Sequence, residues 1–300
     1  MRILLTGAGG LLGKRLRRHF QEAGSQVIPI RRVSSDSPSD EGVAWNHQSG
    51  WMDLSAMEGA DVLIHLAGEN IGNGLWTKAK KKRIYESRIT GTKQLVKSLA
   101  RLQQPPKTFF CASATGFYGT NADSDHDEGS PAGEGFLATV CADWEKTALR
   151  AEESGIRTVL LRFGVILDPD GGALGKMLLP FRLGLGGRLG SGNQFFPWIA
   201  APEIPEIIDA LNQRSDIRGP VNLVAPEIMT NKTFTVAFAL HLKRPAFFPV
   251  PAFVIRFLFG EMGQEMLLSS CKAIPRVLER SDYAFTYPTL ESALRAVLPR

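Results

Sequence analysis

The stretch Arg2-Ile-Leu-Leu-Thr6-Gly7-Ala-Gly-Gly10-Leu-Leu-Gly13 decides the fold. A short apolar run enters a glycine cluster, after which Leu12, Leu16, Phe20 and Ala23 recur at helical spacing until Gly24 stops the pattern. Strand, tight turn, helix is the context that a dinucleotide-binding glycine fingerprint requires. Gly7 suits the tight turn, Gly10 lets backbone approach a pyrophosphate, and Gly13 lets helix and strand pack closely. The helix N-terminus adds unpaired N–H groups and a partial positive charge that suit phosphate.

Moving outward, 26–30 reads as a second strand that ends at Arg31-Arg32, with no acid before Asp36. A carboxylate at that position accepts a ribose 2′-OH, whereas a cation accommodates a 2′-phosphate, so the pair points to NADP. The segment 61–66 is a strand apolar almost throughout, as when helices cover both faces of a parallel sheet. Between them, 34–40 is polar loop. A helix over 77–102, a strand over 108–112, a helix over 136–153 and a strand over 158–163 continue the alternation. The expected fold is α/β, a Rossmann-like doubly wound parallel sheet with a smaller, helix-rich C-terminal substrate domain. After Phe163, glycines crowd the chain around one short helix, giving a loop-rich cover over the site at 171–198. A last strand is expected at 221–224. From Asn231 the pattern is helical, interrupted by a connector at 245–251. The expected division is a cofactor domain over 1–225 and a helical domain over 226–300.

Composition narrows the class. With 300 residues, 44% hydrophobic and 22% charged, the chain is neither disordered nor fibrous, and it is long enough to bury a core without staples. Three widely spaced cysteines, Cys111, Cys141 and Cys271, make no disulfide framework and no zinc pattern. No leader and no spanning segment stands out, so a soluble cytoplasmic protein is expected. The net charge of +5 equals the five cations Lys78, Lys80, Lys81, Lys82 and Arg83, which read as one solvated helical face. Neither nucleic acid nor a membrane is expected as a partner, and nothing is spaced for a metal.

The glycine turn, Leu66-Ala67-Gly68 and the segment 113–119 together resemble the extended short-chain dehydrogenase/reductases. Leu66-Ala-Gly-Glu-Asn-Ile71, Glu86-Ser-Arg88 with Gly91-Thr92, Gly171-Gly-Ala-Leu174, the stretch from Leu179 to Gly192 with Gln194 and Trp198-Ile199, and Arg244-Pro-Ala-Phe-Phe-Pro-Val-Pro-Ala252 with Gly260-Glu261 are similar to the atypical "epimerase family" subgroup, nearly end to end. The resemblance implies phosphate contacts from Gly7, Gly10 and Leu12, with Gly13 completing the turn. It implies Arg31 and Arg32 at the adenosine end, Leu66 and Ala67 along adenosine and ribose, Arg88 behind the cofactor and Val165 near the nicotinamide. It also implies an NADP-dependent oxidoreductase or epimerase-like enzyme acting on a small polar molecule; whether the chain forms a homodimer stays open. The alternative is an NADP-binding regulatory or scaffold protein without turnover.

The superfamily's catalytic pattern is a Ser/Thr, a Tyr and a Lys four residues later. The helix that should carry the pair reads Gly135-Phe-Leu-Ala-Thr-Val-Cys-Ala-Asp-Trp-Glu145. One register puts Leu137 and Cys141 in the Tyr and Lys places and another puts Cys141 and Glu145 there; neither restores the pair. Ala114 stands at the serine position, flanked by Ser113 and Thr115. Three replacements stand open: Ser113 to hold a carbonyl or bond a turn, Tyr118 to donate a proton or pack, and Cys141 to react or fill space. His65 reads as a core histidine. After Trp198-Ile199 the subgroup's histidine and acidic pair are replaced by Ala200, Pro202 and Glu203, leaving their role in doubt.

Overall fold

The computed structural model describes residues 1–120 and 124–299; 121–123 and 300, inside the two expected domains, lie outside the described residues. From the N-terminus, β1 (Arg2–Thr6) leads to α1 (Leu11–Glu22), β2 (Gln26–Val33), β3 (Val43–Asn46) and β4 (Trp51–Met52). Then come β5 (Val62–His65), α2 (Lys78–Leu99), β6 (Thr108–Ala114), β7 (Asp125–His126), α3 (Phe136–Leu149) and β8 (Arg157–Phe163). The loop-rich part holds β9 (Val165–Leu167), α4 (Gly172–Arg182), β10 (Trp198–Ala200), α5 (Glu203–Gln213) and β11 (Gly219–Leu223). The remainder is α6 (Asn231–Leu242), α7 (Ala252–Met266), β12 (Lys272–Ala273), α8 (Arg276–Arg280) and α9 (Leu290–Val297).

The main sheet runs β11-β8-β6-β5-β1-β2-β3-β4, and every pairing is parallel except β3 with β4. β1 lies between β2 and β5, with Leu4 opposite both Ile28 and Leu63. From β1 the chain steps outward through α1 to β2, and from β5 it steps the other way through α2 to β6. Right-handed crossovers in opposite directions put the two helices on opposite faces. Accordingly α1 packs on α5, with His19 and Asp209 2.7 Å apart, while α2 packs on α3. The direction reverses between β1 and β5, which opens a crevice at the carboxyl ends of those strands.

Local chemistry explains the main elements. α1 buries Gly13, Leu16 and Phe20 on one face, while Arg15, Arg17 and Arg18 lie on others. Thr77 caps α2 by accepting from the Lys80 amide. β5 and β6 are buried almost end to end, as the covered faces demand.

Several details differ from the sequence reading. β2 extends to Val33, so Arg31 and Arg32 lie within the strand, opposite Ala44 and Trp45 of the unanticipated β3. α3 tightens after Leu149 into a 3₁₀ turn over Arg150–Ser154. Beyond Phe163, β9 and β10 pair as a small second sheet, and α5 appears where no helix was expected. Leu174, Leu178 and Phe181 of α4 join Trp198, Phe234, Phe238, Leu290 and Leu294 in a second core. The 245–251 connector pairs with the glycine-rich stretch, bringing Leu189 opposite Val250.

Candidate cofactor and active site

At the turn after β1, Gly7 has φ +69 and its carbonyl accepts the Gly10 amide at 2.9 Å. A Cβ on Gly13 would fall 2.1 Å from that carbonyl oxygen, so the turn and the helix can approach this closely only with glycine there. At Gly10 the conflict is mild, 3.2 Å from the same oxygen. Gly10 caps α1 without a side-chain hydrogen bond, and no acid lies in the first turn. The first N–H groups, Leu11 and Leu12 among them, thus lead a helix dipole into the crevice uncompensated by local carboxylate.

The facing wall is pinned from below. The Leu66 and Ala67 amides both donate to Thr6 Oγ1, at 3.0 and 3.1 Å. The Thr6 hydroxyl is left to donate to His65 Nδ1 (2.7 Å), so His65 Nε2–H donates to Thr92 Oγ1 (3.0 Å), which also receives Trp144 Nε1–H (2.8 Å). Burial holds this histidine neutral, with its pKa lowered to about 3. Next to the pinned loop, Arg88 stacks over Trp144 at 5.0 Å and donates to the Glu69 carbonyl at 3.0 Å. A Cβ on Gly68 would lie 3.0 Å from the Arg88 guanidinium carbon, which places that cation directly beneath the loop after β5.

Arg31 and Arg32 are exposed at the outer end of the crevice. Arg31 pairs with Glu41, whereas Arg32 meets no carboxylate among the described residues. On the other side Val165 donates to the Pro197 carbonyl at 2.8 Å and starts β9. The chain then turns back over the glycine turn, anchored by Asp168 to Arg15 of α1 at 2.8 Å. Lys176 of α4 reaches across to the Gly72 carbonyl at 2.6 Å.

Ser113, Tyr118 and Cys141 come together in one buried network organised by two residues that the sequence reading did not select. Glu145 accepts from Ser113 Oγ at 2.6 Å and from Arg162 Nε and Nη2 at 2.9 and 2.8 Å. Arg162 also donates to the Tyr118 hydroxyl at 2.9 Å and lies 3.6 Å from the Phe117 ring centroid. Tyr118 in turn donates to Asn222 Oδ1 at 2.7 Å. Burial pushes its hydroxyl pKa up to about 12 and that of the Cys141 thiol up to about 11, so both stay protonated at neutral pH. The detectable signal was Arg162 itself, a cation inside the strand Thr-Val-Leu-Leu-Arg-Phe163, which needs a buried acid.

The C-terminal part closes the neighbouring opening. The Glu265 carboxylate of α7 accepts the Phe136 and Leu137 amides, both at 2.8 Å, and so fills the N-terminus of α3 beside a position where a tyrosine would stand. Glu203, of doubtful role in the sequence, is a buried tie that accepts from the Tyr283 hydroxyl and the Thr286 and Tyr287 amides.

Comparison with known proteins agrees with this architecture. A family model described as "NAD dependent epimerase/dehydratase family" matches residues 3–223, and one for a domain of unknown function matches 250–297. An "Epimerase family protein" of Mycobacterium bovis is 39% identical over 293 residues, covering 97% of this chain and 96% of the relative. The crystal structure of human epimerase family protein SDR39U1 with NADPH superposes with a TM-score of 0.88 at 35% identity, covering 99% of each chain. UDP-glucuronic acid 4-epimerase from Bacillus cereus, in complex with NAD, shares the fold at 18% identity with a TM-score of 0.74, covering 99% of this chain and 94% of that one.

Proposed function

Because the chain belongs to the NAD-dependent epimerase/dehydratase family, we propose that it binds NADP(H) at the glycine turn and transfers hydride between that cofactor and a small polar substrate in the cytoplasm. The observation that carries the reading is the uncapped N-terminus of α1, set by Gly7 and Gly13 at the point where the sheet reverses direction. These residues fit a pyrophosphate: no side chain occupies the approach to Gly10, and no carboxylate of the first helical turn opposes it. Arg32 and Arg31 stand at the end of the crevice where a 2′-phosphate favours cations, and the NADPH bound by the human relative supports that choice.

When bound, the nicotinamide supplies or receives the hydride. This chain's residues hold the loop after β5 rigid through Thr6 and His65, set Arg88 beneath it, and exclude water from the Ser113 to Arg162 network. Ser113 is the residue proposed to handle the substrate's proton, because its hydroxyl already donates to the Glu145 carboxylate.

One observation favours a second reading, an NADP-binding regulatory protein without turnover: the Tyr118 and Cys141 protons are tightly held. Calorimetry with NADPH and NADH, followed by NADPH absorbance in the presence of a metabolite extract, separates the readings. Selective NADPH binding with consumption supports the enzyme, selective binding without consumption the regulator, and no binding at all ends both.

A further inference from the structure

Four of the five cations that equal the charge excess in the sequence meet a carboxylate in the fold. Lys80 pairs with Glu69 at 2.6 Å, Lys81 with Glu261 at 2.7 Å, Lys82 with Glu86 at 3.7 Å and Arg83 with Glu69 at 3.6 Å. A longer run of unopposed cations lies elsewhere. The stretches 171–202 and 228–260 contain seven lysines and arginines and not one aspartate or glutamate.

The fold joins these stretches. The Phe248 amide donates to the Gly186 carbonyl at 3.2 Å, Val250 to Arg188 at 2.9 Å and Gly190 back to Val250 at 2.8 Å, and α7 follows directly. From this joint surface project Leu183, Leu185, Phe247, Phe248, Phe253 and Phe257, the last 88% exposed and Phe247 80%. Arg182, Arg188, Lys243, Arg244 and Arg256 are exposed in the same segments, and none pairs with a carboxylate among the described residues. Exposed apolar clusters of this kind mark an interaction surface.

Charge selects the occupant. A second copy meeting this face symmetrically would set the same five unpaired cations against themselves. The rings stand out singly from helix and connector instead of lining a pocket, a geometry that a fluid interface accepts without a fixed register. No described helix is long and apolar enough to cross a membrane, so contact would be interfacial.

We infer that the face formed by the end of α4, the connector 244–250 and the first half of α7 docks onto an anionic phospholipid bilayer. Its phenylalanines and leucines enter the boundary between headgroups and acyl chains, and its cations meet lipid phosphates. This goes beyond the proposed hydride chemistry and replaces the expectation of no membrane partner, which rested on the lack of a spanning segment and on reading 78–83 as a solvated helical face.

The test is co-sedimentation of the full chain with phosphatidylcholine vesicles, with and without phosphatidylglycerol. The readout needs neither cofactor nor substrate. Binding is expected on the anionic vesicles, to fall sharply between 0.1 and 1 M salt as the screening length shortens from about 10 to about 3 Å. Binding should weaken about tenfold or more in Phe247→Ser/Phe257→Ser, as two rings no longer leave water. A parent-like melting temperature shows that this variant, altered only at exposed positions, is folded. A parent that stays in the supernatant, or a folded double variant that binds equally well, overturns the inference. So does light scattering that shows a dimer which these two substitutions convert to monomer, since a second copy would then cover the face.

Discussion

Arg162 and Glu145 face each other as a two-pronged buried ion pair, with side chains 3% and 7% exposed. The pair joins β8 to α3 and holds Ser113 on one side and Tyr118 on the other. Removing one partner leaves the second charge dry and alone, which typically costs about 3–5 kcal/mol, whereas replacing both with apolar groups is often close to neutral. Arg162→Met is therefore expected to lose stability on that scale in urea unfolding, and Arg162→Met/Glu145→Leu to regain most of it. A single variant within about 1 kcal/mol of the parent would show that the pair is not the clamp described here.

Chemistry at the same network is testable residue by residue. If Ser113 relays the proton that accompanies hydride transfer, delivered to the substrate oxygen when NADPH is the donor, Ser113→Ala should slow NADPH consumption about 10²-fold or more while leaving NADPH affinity unchanged. Cys141→Ser should alter turnover little, because burial keeps the thiol protonated. Tyr118→Phe removes a hydroxyl bonded to both Arg162 and Asn222, so its effect should appear mainly as lost stability. Full turnover in Ser113→Ala would move the proton step to another group.

The ion pair between Arg31 and Glu41 bears on cofactor choice. Charge-assisted hydrogen bonds to a 2′-phosphate are worth roughly 1.5–3 kcal/mol, so Arg31→Ala/Arg32→Ala should weaken NADPH about tenfold to a hundredfold and NADH little. Glu41 competes for Arg31 and would repel the phosphate. Glu41→Gln is accordingly expected to tighten NADPH by up to about fivefold, the limit set by an exposed pair of at most about 1 kcal/mol. Calorimetry that finds no NADPH preference in the parent would dismiss the assignment.

How far the sequence carried this picture depends on where each constraint originates. β1, α1, β5, α2 and β6 declare themselves because their apolar residues run or recur within one segment. β3, β9 and β10 span only three or four residues and exist through pairing with distant partners, such as Trp198 beside Val165. α5 was hidden by Pro202 and Pro205, yet proline is tolerated in a helix's first turn, where its missing N–H is not needed. The glycine turn was legible because it acts through backbone. The Glu145 to Arg162 clamp was not, because it needs the adjacency of α3 and β8.

Gly10 and Gly13 should part company under substitution. At Gly13 an added Cβ meets the Gly7 carbonyl at 2.1 Å, so Gly13→Ala should lower the melting temperature with no ligand present. At Gly10 the neighbour is 3.2 Å away and φ is −75, so Gly10→Val should fold yet lose the thermal stabilisation that NADPH gives the parent. A folded Gly10→Val protein that NADPH stabilises as before would remove the phosphate site from this turn.

His65 should make the fold lose stability in acid. Its ring is fully buried, bonded between Thr6 and Thr92, and burial lowers its pKa from 6.5 to about 3. The folded chain therefore leaves this ring neutral through a range in which the unfolded chain protonates it. The neutral ring's stability is fully present above pH 6.5 and is lost as pH falls toward 3, because only the unfolded state takes up the proton. Within that window the loss is about 1.4 kcal/mol per pH unit from this residue alone. Urea unfolding between pH 7 and pH 4 should show it, and His65→Gln, whatever its stability at pH 7, should have a shallower slope. Equal slopes in parent and variant would mean that His65 is already charged in the folded protein or that water reaches it, and the pinned wall of the crevice would then need another explanation.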